Sequence, residues 1–311
     1  MAFWVIDTDG GVDDAQALIL ALSDRSFPVV AITTVAGNVG LDQATINIAE
    51  CVRICDRQEV PIYKGAARPM VSAFKPADEH IHGDDGLGGY WEHHQPTDLP
   101  EPLPGTAALE IIRLANEHPG QLNLVTIGPL TNLGIALCLD EGLAGKLGRV
   151  VVMGGAPTGN GNVTVAAEFN IWSDPEAAHI AFERLPKIEL VTWELCIDPK
   201  HIFPTDWKAL YFGQSTRKGE FIRAVSERTQ GVEFCDPIAL IVAMHPEVIQ
   251  ESSLKEGWVE LAGTLTRGMT LINWGGSDLV TVRTSTHKQL QIITTVDMQE
   301  TKRLLLESVS S

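Results

Sequence analysis

The sequence is short of cysteine, of aromatic residues and of positive charge. Its five cysteines, at 51, 55, 138, 196 and 235, form an odd set with no CxxC spacing. That excludes a disulfide framework, argues against a zinc site and makes a reducing compartment the expected setting. Twenty-three Lys and Arg face 40 Asp and Glu, a formal net charge of −17. Such a surface repels phosphate backbones and anionic lipid, so neither nucleic acid nor a membrane is expected as partner. No apolar run is long enough to span a bilayer. The stretch Met1–Ile6 reaches Asp7 without the basic and long apolar regions of a secretory signal, and a cytoplasmic protein is expected.

What is present is a large apolar content, 44% of residues against 20% charged, enough for a substantial core. Short β-branched runs recur at Phe3–Ile6, Val29–Val35, Leu122–Ile127, Val150–Met153, Ile188–Trp193 and Leu290–Thr295. Between them lie stretches of helical apolar spacing, at Ala15–Leu22, Ala44–Ile54, Ala107–Ala115 and Leu130–Leu139. Strands apolar on both faces and alternating with helices predict an α/β fold with an open, mostly parallel, doubly wound sheet flanked by helices. Residues 69–104 and 198–233 are less periodic, and no linker or repeat divides the chain. One domain over residues 1–311, with insertions at those two places, is the expected organisation.

The densest chemical signal is Asp7-Thr8-Asp9-Gly10-Gly11-Val12-Asp13-Asp14-Ala15, between the first strand and the first helix. Four carboxylates so close repel one another unless a cation neutralises them. Helix capping accounts for Asp13 or Asp14 but not for Asp7 and Asp9 as well. Oxygen ligands without an accompanying His or Cys set favour calcium or magnesium over zinc. Doubly wound sheets bind ligands beyond the carboxyl ends of their strands. There the sequence places Gly37-Asn38, Gly128-Pro129-Leu130-Thr131-Asn132, Gly154-Gly155 and Glu194. Asn162, Glu168 and Asn170 add amides and a carboxylate suited to vicinal hydroxyls. Asp236, at the entry to an apolar helix, is either an N-cap or a further carboxylate of the metal site.

These motifs, together with Ile81-His82-Gly83, Val152-Met153-Gly154-Gly155, Ala167-Glu168-Phe169-Asn170-Ile171, Asp174-Pro175-Glu176 and Asp236-Pro237, occur in an order that resembles the nucleoside hydrolase family over nearly the whole chain. The resemblance implies calcium-dependent hydrolysis of the N-glycosidic bond of small-molecule ribonucleosides. It implies that Asp9, Asp14, Asp236 and the backbone carbonyl of Ile127 hold Ca²⁺, and that Asp13 deprotonates the attacking water. Asn38, Met153, Asn162, Glu168 and Asn170 are then expected in the ribose pocket and His82 near the nucleobase, where an imidazole titrating near neutrality would help the base depart. A homo-oligomer, dimer or tetramer, is expected by the same analogy.

Two positions depart from the family pattern. Gly10 stands where Pro is frequent, a change expected to alter loop stiffness more than chemistry. Cys235 stands where the inosine-uridine-preferring branch has His and another branch has Trp, so it resembles a third, Cys-containing branch. It is expected either to pack against its helix or to act on the leaving group. Two rivals are weighed beside this reading. Asp7-Thr8-Asp9-Gly10 imitates the nucleophile loop of haloacid dehalogenase-type phosphatases, although the adjacent Asp13-Asp14 pair has no place there. A nucleoside-binding protein with little turnover is the other, and retention of Asp13 argues against it.

Overall fold

A computed structural model of the protein describes residues 2–77, 79–227, 229, 234–275 and 289–310. Among the described residues there are ten strands: β1 (Phe3–Thr8), β2 (Val29–Thr34), β3 (Ile62–Lys64), β4 (Leu122–Thr126), β5 (Leu147–Met153), β6 (Lys187–Val191), β7 (Ile249–Lys255), β8 (Gly257–Val259), β9 (Thr270–Ile272) and β10 (Gln289–Val296). Eight form one sheet in the order β3-β2-β1-β4-β5-β6-β10-β7, and β8 pairs with β9 in a small ribbon. All neighbours in the large sheet run parallel except β7, which lies antiparallel to β10 at the edge. The predicted open, mostly parallel sheet is therefore present.

Both faces are covered, as the continuous apolar runs require. Along β1 and β4, Ile6 and Val125 join one core with Leu18, Ile48 and Ile241, whereas Val5 and Leu124 join the other with Ile111, Leu133 and Phe182. The predicted helices appear at Val12–Ser23, Leu41–Ile54, Ala107–Glu117 and Thr131–Leu139. Sequence periodicity overlooked β3 and β7 of the large sheet, and both strands of the β8–β9 ribbon. β3 has three residues, and β7, Ile-Gln-Glu-Ser-Ser-Leu-Lys, is a largely exposed edge without an apolar run.

Segment 69–104 contributes a four-residue helix, Glu79–His82, and a single turn at Tyr90–Glu92. Segment 198–233 contributes helices Thr205–Phe212 and Arg217–Ser226. Residues 78, 228 and 230–233 of the two expected insertions lie outside the described residues.

Strand order reverses between β1 and β4, since β2 and β3 lie to one side and β5 and β6 to the other. A crevice opens where two connections leave a sheet in opposite directions. Asn132 ties this crevice together. Its Nδ2 donates to Asp7 Oδ1 at 2.7 Å and to the Thr34 carbonyl at 3.0 Å, and its Oδ1 accepts from Ala66 N at 2.9 Å. One buried amide thus links β1, β2 and the segment after β3. Asn132→Ala leaves these partners short of hydrogen bonds in a dry interior and is expected to lower unfolding free energy by about 2–4 kcal/mol, measured by urea denaturation.

Candidate active site

The floor of the crevice is made where β1 runs into helix Val12–Ser23. Asp14, in the first turn of that helix, is held in place by four donors. Its Oδ1 accepts from the Thr8 hydroxyl and from Asp9 N at 3.1 Å, and its Oδ2 accepts from Gly11 N at 2.8 Å and Asn38 Nδ2 at 3.1 Å. Asp9 is held from the β2 side, where Asn38 N donates to its Oδ2 at 2.7 Å. That approach needs a glycine before Asn38, because a Cβ on Gly37 would lie 2.0 Å from Asp9 Oδ2.

Gly10 has φ of +73°, and a Cβ there would meet the Ala44 backbone at 2.7 Å. Proline cannot adopt that φ. The loop as it stands here therefore requires glycine at this position. Asp236 arrives from helix Cys235–Met244, which packs on helix Val12–Ser23. It sits inside the first turn and makes no capping hydrogen bond, so the N-cap alternative does not describe it.

Electrostatically the floor is under stress. Burial first, and neighbouring carboxylates second, push Asp13 up to about 8 and hold Asp9 and Asp236 well above the usual carboxylate range. Burial likewise raises Asp7 to about 7. Asp9 Oδ1 and Asp13 Oδ1 are buried without a hydrogen-bond partner. One oxygen each from Asp13, Asp14 and Asp236 can be chosen so that all lie within 4.8 Å of one another. Among the described residues no Lys or Arg pairs with any of them. Unpartnered oxygens and an all-carboxylate donor set fit a hard divalent cation. The grouping differs from the expected one in that Asp13 stands among the close oxygens, while Asp9 lies behind Asn38 with one oxygen free. The Ile127 carbonyl also faces this region and accepts from Asn170 Nδ2 at 3.1 Å.

Above the floor is a cavity of about 520 Å³. Ten of the twelve expected site residues line it: Asp13, Asn38, His82, Ile127, Met153, Asn162, Glu168, Asn170, Cys235 and Asp236. Asp9 and Asp14 lie beneath. The polar wall is fixed by backbone donors. Glu168 caps helix Phe169–Ser173, accepting from Asn170 N at 2.8 Å, and also accepts from Gly155 N at 2.8 Å. Asn170 Nδ2 further donates to the Met153 carbonyl at 3.2 Å, and Asn162 Oδ1 accepts from Phe169 N at 2.9 Å. Glu194, expected on the rim, instead binds Thr158 N at 2.7 Å and pins the neighbouring loop.

His82 is not the near-neutral imidazole expected. It is buried, its Nδ1 accepts from Val12 N at 3.2 Å, and burial lowers its pKa to about 4. A neutral ring with the proton on Nε2 follows, and the 3.8 Å approach of Nδ1 to Asp13 Oδ1 is not an ion pair at neutral pH. Cys235 is also buried, and burial together with Cys196 pushes its thiol up. Sequence reasoning missed Lys75, Trp172 and Trp193, which line the same cavity. Trp172, three residues after Phe169 on one short helix, carries a faint periodic signal. Lys75, alone in a loop, carries none.

Residues 4–303 match the family model described as inosine-uridine preferring nucleoside hydrolase. The chain is 34% identical over 287 residues to the pyrimidine-specific ribonucleoside hydrolase RihA of Salmonella schwarzengrund, covering 87% of this chain and 88% of that one. It is 31% identical over 291 residues to a probable uridine nucleosidase 1 of Oryza sativa subsp. japonica, covering 87% and 85%. The solved structure of an inosine-guanosine nucleoside hydrolase superposes with a TM-score of 0.88 at 31% identity, over 99% of this chain and 98% of that one.

The raised carboxylates make a pH prediction with a definite sign. Asp7 and Asp13 keep their protons in the folded protein up to about 7 and about 8, whereas unfolded they release them near 3.8. The folded state therefore binds more protons in that window, and this contribution to stability falls as pH rises through it. His82 acts oppositely and only between about 4 and 6.5. A divalent cation that bound the ionised floor would raise the melting temperature more at pH 8 than at pH 5. Scanning calorimetry at both pH values, with and without the ion, checks this.

Proposed function

Since the chain belongs to the nucleoside hydrolase family, and is thereby an N-ribosyl hydrolase cleaving ribonucleosides to ribose and free base, we propose that its carboxylate floor holds Ca²⁺ and that Asp13 is the general base. The observation that carries this is the pair of buried, unpartnered oxygens on Asp9 and Asp13 in a cluster that no Lys or Arg neutralises among the described residues. Asp9, Asp14, Asp236 and the Ile127 carbonyl would hold the ion. Bound there, it would supply positive charge that acidifies the attacking water and orients vicinal hydroxyls.

The chain's own groups do the rest. Asp13 takes the proton of a water whose oxygen attacks C1′ as the C1′–N bond breaks, with its electron pair leaving on the base. Asn38, Met153, Asn162, Glu168 and Asn170 position the ribose, and the backbone hydrogen bonds of Asn162, Glu168 and Asn170 keep that wall fixed before substrate arrives. His82 acts as a neutral Nε2–H donor beside the base and does not titrate near neutrality. Cys235, with its thiol held protonated, packs against Cys196 and serves shape more than proton transfer. The enzyme reading includes a cytoplasmic homo-oligomer. Family membership replaces the phosphatase alternative, and turnover separates an enzyme from a nucleoside-binding protein.

Two measurements test the assignment. Chelation is expected to abolish uridine and inosine cleavage and Ca²⁺ to restore it; full activity in metal-stripped protein defeats the metal role. Asp13→Asn keeps hydrogen-bonding capacity but cannot accept a proton, so kcat is expected to fall by about 10²–10⁴ with ribose binding retained. Turnover within a few-fold of the parent would mean that another group is the base.

A further inference from the structure

The segment that carries His82 is internally tied. The Asp85 carboxylate gathers its turn, with Oδ1 accepting from Leu87 N and Gly89 N at 2.9 Å each and Oδ2 accepting from Trp91 N at 3.1 Å. The His82 carbonyl accepts from Gly88 N at 2.8 Å and closes the turn. A unit bound to itself in this way keeps its shape, but its position against the carboxylate loop has to be set from outside. The direct bond between the two, from Val12 N to His82 Nδ1, is long at 3.2 Å.

Helix Leu41–Ile54 supplies the external reference. Asn47, fully buried on that helix, donates through Nδ2 to the Gly10 carbonyl and to the Asp85 carbonyl, both at 2.8 Å. Its Oδ1 accepts from Trp91 Nε1 at 2.7 Å and from Gln43 Nε2 at 2.9 Å. The amide is thus fully used, with one bond to the carboxylate loop and two to the His82 segment. Glu50, three residues on and so on the same face of the helix, accepts from the Tyr90 hydroxyl at 2.6 Å and ties down the rest of the segment. The joint is tight. A Cβ on Gly86, whose φ is +76°, would lie 2.9 Å from Asn47 Nδ2 and 3.0 Å from the Gly10 carbonyl oxygen.

We propose that Asn47 is a positioning residue: it sets the distance between the loop bearing Asp9, Asp13 and Asp14 and the segment bearing His82, and so places the His82 Nε2–H at the departing base. The proposal rests on the reading of Asp13 as general base and His82 as donor to the base. Asn47 does not line the cavity and moves no proton itself. Without it the carboxylate loop keeps the bonds that Asp9 N, Gly11 N and Asn38 Nδ2 give to Asp14. The His82 segment, in contrast, loses its shared tie to that loop, and the buried Gly10 and Asp85 carbonyls each lose a donor. Attack of water on C1′ is retained, and help to the base as the C1′–N electron pair leaves is lost. A shift of about 1 Å in a reacting group is enough to cost on the order of 10²-fold in rate.

The test sets uridine against p-nitrophenyl riboside, whose leaving group departs without a donor, on the full chain with calcium. Asn47→Leu, similar in size but without hydrogen bonds, is expected to lower kcat for uridine by about tenfold or more with KM within about threefold, and kcat for p-nitrophenyl riboside by less than about threefold. His82→Ala is expected to show the same selectivity, and Asn47→Leu to add less than about threefold in the His82→Ala background, because both act through one group. Gly86→Ala wedges the same joint from the segment's side and is expected to repeat the selective loss, which keeps the proposal open to refutation if Asn47→Leu does not fold. Equal losses on the two substrates, no loss on uridine, or losses that multiply in the double variant overturn the positioning role and leave the nucleosidase reading intact. If His82→Ala leaves uridine cleavage unchanged, or the parent cleaves neither substrate, the reading of the main site fails instead, and amide hydrogen exchange decides the joint separately. Faster exchange over residues 81–91 in Asn47→Leu or Gly86→Ala, with β4 and β5 unchanged, supports it; unchanged exchange over 81–91 overturns it.

Discussion

Burial of a cluster of carboxylates, with the repulsion among them added to it, is the constraint the site is built around. Asp7, Asp9, Asp13, Asp14 and Asp236 are drawn into one end of the sheet, away from water, with no basic residue paired to them among the described residues. Ionised carboxylates in such a place are costly unless each finds donors or a cation. The surrounding structure is arranged around that demand. Thr33 and Asn132 serve Asp7, Asn38 serves Asp9 and Asp14, and the turn from Asp9 to Gly11 gives its N–H groups to Asp14. These donors leave one oxygen each of Asp7, Asp9 and Asp13 without a partner, and at Asp9 and Asp13 a divalent ion fits that unmet demand.

The fold supplies the place and the rigidity. Reversal of strand order at β1 and β4 opens the crevice, and the residues that follow β2, β4 and β5 project around it. Rigidity comes from locking polar side chains to backbone groups before substrate binds, as Glu168 does by capping its own helix and holding Gly155. A wall of this kind positions hydroxyls without further loss of side-chain entropy, which is where preorganised sites gain rate.

Much of this was legible in the order of residues. The apolar runs that became β1, β2, β4, β5, β6 and β10 are apolar on both faces because both faces are covered, and the polar residues after most of them line the crevice because parallel strands present their carboxyl ends together. Where signals were short or polar, they were silent. β3 has three residues, β7 is a solvated edge, and Glu194 looks like a rim residue in sequence yet holds a loop. His82 shows the limit from another side, since a histidine on a glycine-rich loop reads as a titrating group until its burial against Val12 is known.

The sequence by itself determined the alternation of strands and helices, the carboxylate cluster between the first strand and helix, and the family motifs in their order, because each depends on residues near one another along the chain. Only the tertiary structure decided that Asp236 joins Asp13 and Asp14 from more than two hundred residues away, that Gly10 adopts a φ closed to proline, that His82 is neutral, and that Lys75 stands over Trp172 in the wall of the cavity. These depend on distances through space and on exclusion of water, and neither is written in the spacing of residues along a chain.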